Sequence, residues 1–330
     1  MLWIKYRSGW EFDWGLAGHT IAGADWAWLG AACVLNVGTY WGRTIRWAVM
    51  IRPLRPQPSH AAIFQATLIG FTALVLIGRP GEFIRPYLIA VKEKVPVTSQ
   101  LAAWGLERIF DILAVLAIFG IGLSQVNRSA ATVGPTLEWV LQVGGMFVAA
   151  VSLMCLTLLI LIRSYSEWAR RRIGEALSFL AEHHLARVQK LVGSFLDGME
   201  SIRTPGALAA LVGYTVFEWV LIVGCFFCTM KAFPGIGDFG WMDILILVGF
   251  VAFGAVVQLP GIGGGMQAVA ALILHELFAV PVERALAVAM VIWAVNFLVI
   301  VPIGLPLALR EGLNWGRLRE ISREAEEAGA

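Results

Sequence analysis

Three long apolar stretches, Leu101 to Gly122, Leu137 to Ile162 and Ala207 to Met230, decide what this chain can become. Each reaches the roughly 18 to 20 residues that carry an α-helix across the hydrocarbon core of a bilayer. Inside a bilayer the backbone must satisfy its own N–H and C=O groups, so such stretches have to be helical. Composition agrees: 58% of the residues are hydrophobic and 15% charged, against about 25% charged in soluble domains. The expectation is an all-α, polytopic integral membrane helical bundle forming a single membrane domain over 1–330, with no room for a soluble catalytic domain.

Seven stretches read as full spans: 26–43, 61–78, 101–123, 137–162, 207–230, 241–259 and 284–309. Two others are too short or too broken and read as re-entrant or interrupted helices. Glu82 to Val91 is fenced by Pro80, Gly81, Pro86 and Pro96, and Ile262 to Val280 opens on Pro260, Gly261, Gly263, Gly264 and Gly265. Irregular backbone at membrane depth is tolerated only where protein or a polar cavity receives its polar groups, so such breaks tend to mark sites.

Charge distribution orients the bundle. Arg43, Arg46, Arg52 and Arg55 after the first span, and the arginines of 163–206, belong on the cytoplasmic side by the positive-inside bias. Both loops fall there only if the segment 79–97 returns the chain inward. The same reasoning places Arg310, Arg317, Arg319 and Arg323 inside, giving an outer N-terminus and an inner C-terminus. Within 163–206, Ile173, Leu177, Leu180, Val188 and Leu191 recur at helical spacing among basic residues. This is a cytoplasmic amphipathic connector, either docked on the bundle or binding anionic head groups. A short polar tail occupies 311–330. Tryptophans such as Trp26, Trp41, Trp104 and Trp241 lie near span ends, as an aromatic belt requires.

The four cysteines all lie in apolar stretches, and Cys225 with Cys228 reads as helix packing because no second Cys or His pair accompanies them. The start, Met1 to Asp25, lacks the continuous apolar core of a signal peptide because Glu11, Asp13 and His19 interrupt it. No catalytic residue, cofactor or metal site is assigned, and no nucleic-acid partner is expected.

Function has to be read from the ionisable residues at membrane depth. Arg79, Glu82 and Arg85 surround the first break, and Glu107, Arg108 and Asp111 follow within the next span. A charge at mid-span costs at least about 2.5 kcal/mol, so it faces a partner or a wet cavity. Helical spacing lets Glu107, Arg108 and Asp111 share a face and lets Glu82 pair with Arg85. Three cations and three anions could form a self-neutralised structural network. Alternatively, guanidinium donors and backbone N–H groups beside a Gly/Pro break hold a phosphate oxygen, with Arg79 and Arg85 as the binding groups. The second break, with Gly81 of the first matched by Gly261, Gly264 and Gln267, presents another ring of N–H groups or packs helices closely through glycine. Glu218, Gln258, His275 and Glu276 add polar groups in the same half.

These residues also form a pattern. Gly78-Arg79-Pro80-Gly81-Glu82-Phe83-Ile84-Arg85, followed by Glu107-Arg108-Ile109-Phe110-Asp111, resembles the paired motifs of the lysylphosphatidylglycerol synthase transmembrane region, or flippase-like domain, family. The run from Pro260 to Gln267 and Pro302-Ile303-Gly304 are similar to its C-terminal part. The resemblance implies lipid handling in the cytoplasmic (inner) membrane by a member without the synthase domain. Its motif positions are Arg79, Glu82, Arg85, Glu107, Arg108 and Asp111. Two departures stand out: Gln267 where many relatives have Glu, and Trp293 where many have Arg. Relatives usually carry one more helix upstream, so the true start is expected before Met1.

The leading expectation is lipid translocation or lipid binding, a transporter-like rather than enzymatic role. Phosphate-bearing membrane lipids would be the partners, along with a second copy of the chain or a separately encoded lipid-modifying enzyme. The alternatives are a membrane-embedded transferase acting on a lipid-linked phosphate or sugar with Glu107 or Asp111 as general base, and an ion-coupled carrier of small solutes using the same carboxylates as proton sites.

Overall fold

The computed structural model describes residues 12–124, 150–157, 204–261 and 263–312, with isolated positions 160, 193, 194 and 198. The connector 163–206 therefore falls almost wholly outside the described residues, as do most of the expected span 137–162 and all of the tail but residues 311 and 312.

A short helix, α1 (Trp14–Ala22), is capped by Asp13 and buries none of its residues. At Gly23 the chain bends by 77° into α2, Trp26–Ile51, which Asp25 caps by accepting a hydrogen bond from Ala27 N. At 26 residues α2 is about 39 Å long and extends eight residues past its expected end. Arg43 and Arg46 consequently lie inside the helix, not in a cytoplasmic loop, and the apolar continuation Trp47–Ile51 is buried. Only Arg52 and Arg55 remain for the loop before α3 (His60–Ile77), which Ser59 caps.

The chain then reverses. Gly78 takes a positive φ of 82°, a 3₁₀ turn covers Arg79–Phe83, and α4 (Ile84–Glu93) runs back along α3. Two features confirm the hairpin. Ser59 N donates to Glu93 Oε1 at 3.0 Å, joining the far ends. Near the turn, a Cβ at Gly70 would lie 2.5 Å from Arg85 Cβ and one at Gly81 would lie 2.6 Å from Ala73, so both glycines permit contact that no other residue allows. The expected return over 79–97 is thus present.

Helix α5 (Val97–Ser124) follows, 28 residues long. Past the undescribed region, α6 (Pro205–Lys231) starts on a Thr204 cap with Pro205 in the first turn and packs along α2. Helix α7 (Trp241–Gly254) has 14 residues, about 21 Å, and so falls short of the full span expected over 241–259. It ends because the chain turns: Gln258–Leu259 pairs antiparallel with Gly263–Gly264, and α8 (Gly265–Glu276) returns against α7. A Cβ at Gly265 would meet Gly254 O at 2.2 Å, so the turn of this second hairpin also depends on glycine.

The last expected span, 284–309, is interrupted. Helix α9 (Val282–Asn296) gives way at Phe297 to a 3₁₀ turn, Leu298–Ile300, and then to α10 (Val301–Arg310). Carbonyls released there are received by α2: Asn36 Nδ2 donates to Val295 O at 2.7 Å and to Asn296 O at 3.3 Å, and Tyr40 Oη donates to Asn296 O at 3.4 Å. Sequence reading missed this third break.

Among the described residues, three helical elements are long and apolar enough to cross a bilayer: His60–Ile77, Pro205–Lys231 and Val282–Arg310. Helices α1 and α2 together make a fourth. Helix α5 has the length, but its middle holds Glu107, Arg108 and Asp111. Seven full spans are therefore not what the described residues show, although the all-helical membrane architecture is.

Two apolar cores flank these charges. One joins Leu29 and Ala32 to the C-terminal half of α6 and to α7, α8 and α9. The other joins Trp47–Ile51 to α3, α4, the first part of α5 and Leu211. Between them, at mid-length of α5 and α6, lies a layer of ionised side chains.

Candidate functional site

The polar layer is built on three helices. Arg43 and Arg46 are one turn apart on α2, Glu107, Arg108 and Asp111 share a face of α5, and Thr215 and Glu218 are one turn apart on α6. Gly42 faces Phe217 and Glu218 of α6, where an added Cβ would make only ordinary contact.

Arg46 and Glu107 form the centre, both 0% exposed. Arg46 Nη2 donates to Glu107 Oε1 at 2.6 Å, and Nη1 donates to Asp111 Oδ1 at 2.7 Å and to Thr215 Oγ1 at 3.2 Å. Glu107 also accepts from Arg85 Nη1 on both oxygens, at 2.9 and 3.1 Å. Arg85 completes its own shell with Thr67 Oγ1 at 3.2 Å and Arg43 O at 3.3 Å, and its guanidinium lies 4.2 Å above the Trp47 ring. Trp47 is held in turn by Gln100 Oε1 at 2.9 Å. Arg85 is therefore a buried structural cation, in contrast to the phosphate-binding role expected of it. Glu82 does not pair with it either.

The outer part of the layer faces a cavity of about 370 Å³ at the centre of the described bundle. Arg43, which pairs with Glu218 at 2.6 Å, lines it. So do Arg108 and Asp111, 3.3 Å apart, and the Arg79–Glu82 pair. Exposure separates this half from the centre: the Arg108 side chain is 35% exposed and that of Arg79 41%, against 1% for Arg46. Three donors at this wall, Arg43 Nε, Arg108 Nε and Trp219 Nε1, are buried without a hydrogen-bond partner. Arg46 Nε, behind them, shares that condition. The rest of the lining combines Asn36, Thr39, Tyr40 and Asn296 with apolar side chains, among which Ile112, Phe253 and Val256 are exposed.

All three breaks meet this cavity, through Arg79 and Glu82, through Ala255, Val256 and Met266, and through Asn296 and Phe297. The first two are tied to each other. Arg79 Nη2 and Nε donate to Ala255 O at 2.6 Å and Val256 O at 2.9 Å, capping the C-terminal end of α7, and Gly261 N donates to Val75 O at 2.8 Å. Among its described residues the second break fits the close-packing alternative better than an open ring of N–H groups. Gly261 N is taken by α3, Gly264 N by Gln267 Oε1 at 2.6 Å, and Gly265 N by Val257 O at 2.9 Å. Gln267 is buried in the first turn of α8, where it satisfies the helix start. Gly81 serves close packing on Ala73.

Six of the expected residues therefore fall around one centre: Arg79, Glu82, Arg108 and Asp111 at the cavity wall, Arg85 and Glu107 behind it. Arg43, Arg46, Glu218 and Trp219 belong with them. The signal for the two arginines was present, because the apolar run resumes at Trp47 after Arg46. His275 lies apart, with Nδ1 2.8 Å from Val280 O, and among the described residues no group of His, Cys, Asp and Glu could hold a metal ion.

A bundle with interrupted helices around an arginine-lined cavity defines an integral membrane protein with an internal polar site. The chain belongs to the lysylphosphatidylglycerol synthase TM region family, whose match spans residues 2–304. It is also similar to a protein of Haloferax volcanii named glycosyltransferase AglD, at 31% identity over 101 residues. That match covers 30% of this chain and 16% of the relative, so the chain spans about a sixth of the length of the curated protein it matches. No solved structure matches the chain.

Proposed function

We propose that the protein binds lipids by a phosphate-bearing head group in the central cavity and moves them between leaflets. The observation that carries this reading is a cavity lined both by the guanidiniums of Arg43, Arg79 and Arg108 and by the exposed apolar side chains of Ile112, Phe253 and Val256. A head group could occupy it while the acyl chains stay in the bilayer. At about 370 Å³ the cavity lies at the lower end of small-molecule sites, roughly 300–1,000 Å³, which suits a head group without its tails. Arg108 and Arg43 are the groups that meet the phosphate, since guanidinium planes match its oxygens. Asp111 and Glu82 limit how tightly it is held. The hairpin of α3 and α4 and that of α7 and α8, joined through Arg79, are the elements whose relative movement would expose the site to one side and then the other. Integral placement in the cytoplasmic membrane, N-terminus outside and C-terminus inside, belongs to the same reading. A second copy or a separately encoded lipid-modifying enzyme would be a further partner.

The name of the Haloferax volcanii relative supports a second reading, transfer of a sugar to or from a lipid-linked phosphate in the same cavity. Glu107 is a poor general base for it, because guanidiniums surround both its oxygens. Asp111 would have to serve. Reconstitution in liposomes with head-group-labelled phospholipids separates the readings. Leaflet exchange that requires the wild-type protein and fails with Arg108→Gln supports translocation. Exchange equal to protein-free liposomes, with labelled sugar appearing on the lipid instead, would replace it with the transferase.

A further inference from the structure

Glu218 is the carboxylate of the charged layer to which neither the structural centre nor the cavity wall has given a role. It is wholly buried at mid-length of α6, between the two apolar cores. Two guanidiniums reach it, both from α2. Arg43 Nη2 lies 2.6 Å from Oε1 and Arg46 Nη1 lies 3.3 Å from Oε2. Neither contact has hydrogen-bond geometry, so both oxygens are held by charge alone.

The two cations are not equally tied down. Arg46 already donates to Glu107, Asp111 and Thr215. Arg43 has Glu218 as its carboxylate and lines the cavity. Facing Glu218 from α5 are the carboxylates of Glu107 and Asp111, which repel it, and Arg108 pairs with those two. On α6 itself the neighbour one turn away is Thr215, whose hydroxyl donates to Leu211 O. A ligand anion that draws Arg43 toward the cavity therefore takes from Glu218 its nearer cation and leaves it Arg46, shared among three carboxylates. An ionised carboxyl so placed is costly, and a proton is the least costly compensation. Asn36, Thr39 and Tyr40 line the cavity on the same helix as Arg43, giving water a polar wall that leads to it.

Resting on the head-group reading above, we propose that Glu218 is a proton-binding site coupled to the cavity. Binding of an anionic head group at Arg43 loads a proton from cavity water onto the Glu218 carboxylate. Release of the head group returns Arg43 to Glu218 and expels the proton. By reciprocity, protonation of Glu218 frees Arg43 and strengthens anion binding by the same factor. A lipid that crosses in the loaded state carries the proton with it, and a pH difference across the bilayer gives the movement a direction.

The test is calorimetric titration of the detergent-purified protein with short-chain phosphatidylglycerol in buffers of differing ionisation enthalpy, which counts the protons exchanged on binding. Phosphatidylglycerol does not itself titrate near neutrality, so the protons counted are the protein's. Wild type should take up a large fraction of a proton per lipid, and its affinity should weaken by up to about tenfold for each unit of pH rise. Glu218→Gln, which keeps the shape and cannot ionise, should bind without proton uptake and with an affinity that no longer follows pH. Arg43→Gln carries the test on a different element if that variant does not fold: without its nearer cation, Glu218 should show the infrared C=O stretch of a protonated carboxyl in the absence of ligand, a band that the difference spectrum assigns to the variant and not to wild type. Wild-type protein that binds lipid with no proton exchange would overturn the proposal, as would uptake that persists in Glu218→Gln or an Arg43→Gln spectrum without the band. No binding of phosphatidylglycerol by wild type would defeat the head-group reading instead, while the infrared band would still decide whether Glu218 takes a proton when Arg43 leaves it.

Discussion

The two halves of the charged layer differ in what surrounds them. Arg46, Arg85 and Glu107 are buried, their carboxylate–guanidinium contacts are made within the protein, and their neighbours are packed aromatic and aliphatic side chains. Arg43, Arg108 and Asp111 join the same layer yet border a cavity, and the Arg108 side chain is 35% exposed. The inner half resembles a structural ion network and the outer half a binding wall. A buried charge that loses its partner is expensive, whereas a partly exposed one has solvent or ligand to turn to. The contrast says which substitutions should unfold the protein and which should only empty its site.

The largest effect is expected at the centre. Arg46→Ala leaves Glu107 and Asp111 short of a cation and should cost about 3–5 kcal/mol of stability, read as a fall in the thermal midpoint of the detergent-solubilised protein. A midpoint within a degree or two of wild type would place Arg46 with the outer half and erase the distinction. Next comes Arg108→Gln, which should leave the midpoint nearly unchanged while removing binding of phospholipid. If it unfolds the protein as severely as Arg46→Ala, the outer half is structural too.

A smaller and more local change is expected from Arg79→Ala. The carbonyls of Ala255 and Val256 lose their donors, and hydrogen exchange over 255–265 should accelerate while that of α2 and α6 stays as in wild type. Unaltered exchange in the turn would show that the Gly261–Val75 bond alone holds the two hairpins together. The smallest effect is Gln267→Ala, about 1 kcal/mol for the lost hydrogen bond to Gly264 N. A larger loss, or a change in lipid binding, would mean that the second break contacts ligand after all.

Much of this architecture was legible in the sequence. Apolar length pointed to membrane helices and Gly/Pro interruptions gave the two hairpins, whereas the arginine count that called for a return between residues 79 and 97 included Arg43 and Arg46, which lie inside α2. Spacing on α5 gave a shared face for Glu107 and Asp111, and the structure joins both to Arg46. What escaped depended on long-range contact. Arg43 and Arg46 read as loop charges because polar residues usually end a span, and only Glu107, Asp111 and Glu218 on other helices make their burial tolerable. The break at Phe297 has no glycine or proline within it; its carbonyls find Asn36 and Tyr40, some 260 residues away in sequence. Glycines of the second break suggested open N–H groups, but their partners are Val75, Gln267 and Val257, which spacing alone does not reveal.

The most direct test of the outer half as a binding wall is a cryo-electron microscopy map of the protein in nanodiscs containing phosphatidylglycerol. The account predicts head-group density in the cavity with its phosphate against the guanidiniums of Arg108 and Arg43, and acyl density leaving past Ile112 and Phe253. A cavity closed to lipid, with Arg43 and Arg108 fully paired to carboxylates of this chain, would contradict it.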